Sequence, residues 1–217
     1  MHETGARRMV AFIDLAGFTA MTEVHGDHEA ADLAERFTDL VGEQLAPDDR
    51  LVKTIGDAVL VTSPNAESGI ALLRRIMLTC ADTDGILDIR SGAHVGYVVD
   101  RNGDIFGATV NLAARIGAAA AGGRALVTEP LVADARHLGF RVSDRGKQSF
   151  RHVAQPVSIY ELELEQPRRP MTLDPVCRMT VPTSNAAGTL KHGGIEYYFC
   201  SLACAGAFAA EPLWTVT

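Results

Sequence analysis

The sequence predicts an α+β fold, a central mixed-order sheet with flanking helices, followed by a small cysteine-containing C-terminal module. Three observations carry this. Apolar runs of strand length alternate with amphipathic stretches of helical period, in the order strand–helix–strand–strand–helix–strand. That order is the split βαβ arrangement of ferredoxin-like or palm-type domains. A polar, proline-bearing stretch, Glu165-Gln-Pro-Arg-Arg-Pro170, then separates the last strand from a short tail. The expected organisation is a main domain over 9–164, a linker over 165–171 and a module over 172–217.

Each element has its own signal. Val10-Ala-Phe-Ile-Asp-Leu15 reads as a short buried strand that Gly17 ends. Asp27 is placed to cap a helix over about 28–46, in which Leu33, Phe37, Leu40, Val41 and Leu45 share most of one face and Pro47 follows the end. Residues 51–63 make two short strands around the tight turn Ile55-Gly-Asp-Ala58. Residues 66–80 are helical, with Ile70, Leu73, Ile76, Met77 and Cys80 at helical spacing, which makes Cys80 a core residue. A strand over 89–99, a turn at Asp100-Arg-Asn-Gly-Asp104 and a helix over 107–119 follow, the helix stopped by Gly122 and Gly123. Residues 125–128 and 157–164 read as strands. The tail from about Thr172 is too short to bury much core without a staple.

Composition bounds the function. The chain has 217 residues, 47% of them hydrophobic and 22% charged, a balance that gives a packed core and excludes wholesale disorder. Its net charge of -7 leaves no electrostatic footprint for nucleic acid or an anionic membrane, so neither is expected as a partner. A polyanionic substrate would have to be held by local cations or by metal ions. The apolar stretch behind Arg7 and Arg8 is broken at once by Asp14, which argues against a signal peptide, and no run of about 18 apolar residues offers a membrane span. Cys177, Cys200 and Cys204 cluster in the last fifth of the chain while Cys80 stands alone. That suits a reducing cytoplasm and a metal or redox role better than a disulfide framework.

Two sets of polar residues interrupt apolar elements. Asp14 ends an apolar strand and Asp57 sits in a hairpin turn. A carboxylate among apolar strand residues is costly unless something pairs with it, and two of them on adjacent strands can share Mg²⁺ or Mn²⁺. Taken singly, each has a plain reading as a turn residue. Asn111 and Arg115 lie four apart, one turn from each other on the same helix face, among Val110, Leu112, Ala113, Ala114 and Ile116. Alone, that pair reads as a solvated helix edge.

Together, Phe12-Ile-Asp-Leu-Ala-Gly-Phe-Thr19, Lys53-Thr-Ile-Gly-Asp57 and Asp104-Ile-Phe-Gly-Ala-Thr-Val-Asn-Leu-Ala-Ala-Arg115 resemble the class III adenylyl/guanylyl cyclase catalytic domain, in the family's order and internal spacing. The likeness extends over about 9–164. It implies that Asp14, Asp57 and the Leu15 carbonyl hold two metal ions. It implies that the backbone N–H groups of Gly17, Phe18 and Thr19 bind phosphate, that Arg115 stabilises charge on the α-phosphoryl group and that Asn111 fixes the ribose. Lys53 can only donate and ionised Asp104 can only accept, a pair complementary to the N1 acceptor and N6 donor of adenine and mismatched to the N1 donor of guanine. The resemblance agrees, so ATP is the expected substrate. It further implies a head-to-tail homodimer in which the metal aspartates of one subunit meet the Lys/Asp and Asn/Arg set of the other. One departure stands in Ser149-Phe-Arg-His152, where His152 replaces a usual glycine; Arg151 there is a candidate cation for the triphosphate.

The tail resembles the YHS domain in Asp174-Pro-Val-Cys-Arg-Met-Thr-Val181 and Tyr197-Tyr-Phe-Cys-Ser-Leu-Ala-Cys204, with Phe208, Glu211 and Pro212 continuing the likeness toward Trp214. Cys177, Cys200 and Cys204 form a second candidate metal site, suited to Zn²⁺ or Cu⁺. If Ser201 starts a helix, its dipole favours thiolate, most strongly at Cys200. Arg178 stands where a glycine is usual, and His192 is a possible fourth ligand. His25, His28, His94 and His137 show no ligand spacing. The main expectation is therefore an adenylate cyclase with an accessory metal module. Its rivals are another palm-type enzyme, such as a diguanylate cyclase, and a catalytically weak dimeric scaffold for a metal-sensing or metal-carrying module.

Overall fold

The chain threads a twisted sheet whose two faces are covered unequally. The computed structural model describes residues 5–164 and 171–210. Strand β1 (Ala6–Leu15) is followed by helices α1 (Phe18–His25) and α2 (Asp27–Glu43), the hairpin β2 (Arg50–Ile55) and β3 (Ala58–Ser63), and helix α3 (Ala66–Asp82). Then come the long strand β4 (Ile89–Arg101), its hairpin partner β5 (Asp104–Phe106), helix α4 (Ala108–Ala118), β6 (Ala125–Thr128), the short helix α5 (Val132–His137), β7 (Phe140–Gln148) and β8 (Val157–Leu164). The strand order is β2-β3-β1-β4-β6-β8-β7, with β5 hung on β4. Among the described residues only β4 and β6 pair in parallel.

Alternation along β1 explains the two faces. Met9, Ala11, Ile13 and Leu15 point into the large core, where α2 contributes Leu33, Phe37 and Val41 and α3 contributes Ile70, Leu73 and Ile76. Val10 points the other way, into a small cluster with Leu60, Val98, Ile105 and Ala113 of α4, with Phe12 packed beside it. Among the described residues a single helix, α4, packs on that second face, leaving part of it free for polar residues. The helix lies very close because β4 presents Gly92 beneath it. A Cβ on Gly92 would come within 1.9 Å of the Gly117 backbone nitrogen.

Beyond the sheet, β9 (Met171–Leu173), β10 (Thr180–Pro182), β11 (Gly188–His192), β12 (Ile195–Phe199) and helix α6 (Leu202–Ala210) form two small hairpin-like pairs and a helix. Met171, expected in the linker, belongs to β9. Residues 165–170 and the Glu211, Pro212 and Trp214 resemblance lie outside the described residues. The C-terminal segment rests on the sheet's edge of α1 and the loop before β4. Thr180 donates its backbone N–H to the Ile86 carbonyl, Leu87 bridges Met179, and a Cβ on Gly17 would lie 2.8 Å from the Arg178 Cβ. Among the described residues no helix is long and apolar enough to cross a membrane.

The sequence expectations shift in three places. Helix α1 was not anticipated, the second helix runs over Asp27–Glu43 with Gly26 rather than Asp27 at its N-cap, and the expected turn at 100–104 is largely strand. Only Asn102 and Gly103 turn the chain there, at φ 54 and 80.

Candidate functional site

Asp14 lies on the same side of β1 as Phe12, hence on the face that α4 crosses. Its cross-strand neighbour in β4 is Arg90, whose Nε and Nη2 donate to the Asp14 Oδ2 at 2.7 and 2.5 Å. Asp57, in the β2–β3 turn, stands close enough to Asp14 for each to feel the other. Burial pushes the Asp57 carboxyl up to about 6, and the Asp14 charge adds to the rise; Arg90 offsets only part of it. Two carboxylates facing one arginine leave the site short of positive charge, which suits a hard divalent cation. Leu15 closes β1 with its side chain buried at 1% exposure.

Lys53 reaches the same face through a bulge. The register of β2 against β3 slips between Leu51 and Lys53, so Lys53 opposes Leu60 and not the core-facing Val59. The β4–β5 turn brings Asp104 to meet it. Lys53 Nζ donates to Asp104 Oδ2 at 2.6 Å, while Asp104 Oδ1 accepts the Ile105 N–H at 2.8 Å. The hydrogen bond from Lys53 holds the Asp104 carboxyl below its usual range. On α4, Ala113, Ile116 and Gly117 are buried, and Asn111 and Arg115 lie on the more open side, with Arg115 Nη1 donating to the Asn111 carbonyl at 3.1 Å.

Gly17 takes the left-handed conformation, φ 90, and turns the chain from β1 into α1, whose first residues are Phe18 and Thr19. The helix starts without a side-chain cap, so its first amides remain for a ligand. Arg151 stands exposed in the β7–β8 loop, tied to none of the other candidates by a hydrogen bond or ion pair among the described residues. Its neighbour His152 sits at φ 62, which accounts for a usual glycine there; Arg178 at φ 68 is the same case.

The three C-terminal sulfurs converge. Cys177 Sγ lies 3.4 Å from Cys200 Sγ, and Cys200 Sγ lies 3.7 Å from Cys204 Sγ. A fourth donor joins them from α1: His25 Nε2 is 3.7 Å from both Cys200 and Cys204. This corrects one expectation: His25, which shows no ligand spacing in the sequence, is in the cluster. His192 is not; it is exposed and packs edge-on against Phe208. Hydrogen bonds from Cys177 and then Cys200 hold the Cys204 thiol below its usual range. Ser201 does cap the following helix, its Oγ accepting the Cys204 N–H.

Sequence reasoning missed Arg90 and Asp174. The signal for Arg90 was an arginine at the start of an apolar strand. Asp174 is wholly buried and fastens both cysteine-bearing turns, Oδ1 accepting from Val176 and Cys177 and Oδ2 from Cys200.

Comparison with known proteins covers the sheet and its helices. The family described as the adenylate and guanylate cyclase catalytic domain matches residues 3–163. A pH-sensitive adenylate cyclase of Mycobacterium tuberculosis is 32% identical over 163 residues, which are 73% of this chain and 41% of that protein. An adenylate cyclase of Streptomyces coelicolor is 37% identical over 111 residues, 51% of this chain and 29% of that one. The chain thus spans less than half the length of these relatives. Adenylate cyclases from Trypanosoma brucei in their monomeric state share the fold with a TM-score of 0.66 at 21% identity, over 75% of this chain and 90% of the other. The adenylyl cyclase CyaB from P. aeruginosa does so at 0.62 and 20%, over 75% and 96%. With the family match spanning the sheet and all the residues that line its open face, this chain belongs to the adenylate and guanylate cyclase catalytic domain family.

Proposed function

We propose that the chain is an adenylate cyclase, converting ATP to 3′,5′-cyclic AMP and pyrophosphate at sites shared by two head-to-tail copies. The observation that carries this is the direct Lys53–Asp104 contact of 2.6 Å, on the sheet face that also bears Asp14. The ammonium is a donor for adenine N1 and the carboxylate an acceptor for the N6 amino group. In the free chain each satisfies the other, so adenine exchanges one ion pair for two charge-assisted hydrogen bonds. Guanine would set its N1 donor against the ammonium.

Asp14, Asp57 and the Leu15 carbonyl are the groups that would hold two Mg²⁺ or Mn²⁺, and the oxygen donor set fits such ions. Bound there, the ions would supply a lowered pKa for the ribose 3′-hydroxyl and neutralise the triphosphate. The protein's own part is positioning and charge. Arg90 neutralises Asp14 until the ions compete for its oxygen. Asn111 orients the ribose so that the 3′-oxygen faces the α-phosphorus. As that oxygen gives up its proton to solvent and bonds to phosphorus, the bond to the bridging oxygen breaks and pyrophosphate leaves. Arg115 meets the charge that grows on the α-phosphoryl oxygens, and the amides of Gly17, Phe18 and Thr19 hold phosphate oxygens. Arg151 is a further cation within the β7–β8 loop. Ile55, Tyr97 and Phe106 are 48%, 70% and 50% exposed, large apolar groups that a second copy would cover.

The test is product formation by the purified chain with ATP or GTP and Mg²⁺ or Mn²⁺. Cyclic AMP from ATP, with little product from GTP, supports the reading. Mixing Asp57→Ala with Arg115→Ala, each inactive alone, should restore about a quarter of wild-type activity, because half of randomly formed dimers carry one intact site. A folded dimer that forms no product from either nucleotide would move the function to the cysteine cluster and leave the sheet as its scaffold.

A further inference from the structure

We propose that a zinc ion bound by His25, Cys177, Cys200 and Cys204 clasps the C-terminal module to helix α1, and through α1 sets the phosphate-binding turn of the cyclase site. The donor atoms of these residues all lie within 4.8 Å of one another. Zn–S bonds of about 2.3 Å and Zn–N bonds of about 2.0–2.1 Å at tetrahedral angles separate sulfurs by about 3.8 Å and sulfur from nitrogen by about 3.6 Å. The separations in the structure are 3.4 and 3.7 Å between sulfurs and 3.7 Å from the His25 nitrogen to two of them. Three thiolates with one imidazole make a closed tetrahedral set, the set of a structural zinc site, and four ligands of this kind favour Zn²⁺ over Cu⁺.

The surroundings are built to hold it. Cys177 and Cys204 are wholly buried. Asp174 ties the Cys177 and Cys200 turns together from behind, as the outer partners of a metal site do. Among the described residues the module's own apolar cluster is Val176, Cys177, Phe199, Cys204 and Phe208, so two of the five are ligands and an ion is its missing staple.

His25 makes the site more than a staple. It is the last residue of α1, an eight-residue helix that begins immediately after Gly17. The module touches both ends of that helix, the cluster at His25 and Arg178 against Gly17. A helix of this length is a rigid rod of about 12 Å. An ion at one end therefore fixes the turn at the other. The zinc site stands without the cyclase reading; the effect on nucleotide rests on it.

The experiment uses the full-length chain titrated with Zn²⁺ against a chromophoric competitor, with Co²⁺ as a spectroscopic substitute. One Zn²⁺ per chain and the thiolate-to-Co²⁺ charge-transfer band of a tetrahedral site are expected. His25→Ala should weaken zinc at least tenfold, and His25→Cys should restore it. Hydrogen exchange of α1 should quicken in the zinc-free chain and in His25→Ala, and the KM for ATP should rise several-fold with a smaller change in kcat. Zinc held equally tightly by His25→Ala, or no zinc and no Co²⁺ spectrum from a folded chain, overturns the clasp. Tight zinc with unchanged exchange in α1 overturns the coupling. If no cyclic nucleotide forms at all, the proposed function fails, while zinc affinity and exchange still decide the clasp.

Discussion

The sheet and the C-terminal segment are built on opposite economies. The sheet hides a continuous apolar core under α2, α3 and α5 and can set charged residues on its thinly covered face without losing its fold. Among the described residues, the C-terminal segment has an apolar cluster of only five buried residues, and its polar atoms are the centre of its structure: a buried aspartate and three sulfurs. In the first region function is laid over stability; in the second the ligand site and the stability are the same atoms. A polar substitution should therefore be nearly silent for folding in one region and decisive in the other.

The sharpest test of that contrast is Asp57→Ala. It should cut cyclase activity on the order of 10³-fold while leaving the thermal melt of the sheet unchanged; a lost fold would show that the face is structural. Next come paired core truncations. Leu73→Ala, at a site 1% exposed, should cost the sheet about 3 kcal/mol in denaturant unfolding. Phe208→Ala, which removes the ring packed on Tyr197 and Phe199, should release the C-terminal segment and its zinc, seen by proteolysis, with the sheet's transition unmoved.

A third test uses pH. The Asp57 carboxyl stands at about 6, above its ordinary 3.8, so its contribution to stability is present below the ordinary value and is lost as pH rises through 6. The divalent ion needs the ionised form, so the sign reverses for metal. Mn²⁺ affinity should be flat above pH 6 and fall by about tenfold per unit below it, read by calorimetry. The smallest effect is His152→Gly. The histidine holds φ 62 in an exposed loop, and relieving it should raise stability by about 1 kcal/mol, seen as a higher melting temperature without change in activity.

The legible parts of the chain were those where local pattern and tertiary role agree. Strands β6 and β8 run over 125–128 and 157–164, as their apolar runs indicate. Asp14 stood out because it breaks an apolar strand, while Asp57, Lys53 and Asp104 stood out through the order and spacing of the motifs that hold them; Asp14 with Asp57, and Lys53 with Asp104, do meet. What escaped depends on distant contacts. Helix α1 buries only Met21 and starts from a glycine with no capping side chain, so it carries little periodic signal. Strand β7 is largely exposed and polar beyond Phe140 and Val142, and it is held mostly by pairing to β8. His25 meets cysteines more than 150 residues further along the chain, and no local spacing can encode that.

Gly92 carries a consequence of its own. The backbones of β4 and α4 nearly touch there, with no room for a single methyl group. The height of α4 above the sheet is thereby fixed by main chain alone, as a spacer of set thickness fixes two machined plates. Side chains around it can vary in size and the helix will still sit at the same level. Arg115 and Asn111 inherit that tolerance, so the alignment proposed for them over the sheet is insulated from drift in the hydrophobic sequence about them. The same arrangement makes the glycine itself irreplaceable: a change to alanine would tilt the helix and misplace both residues at once, with no packing adjustment able to absorb it.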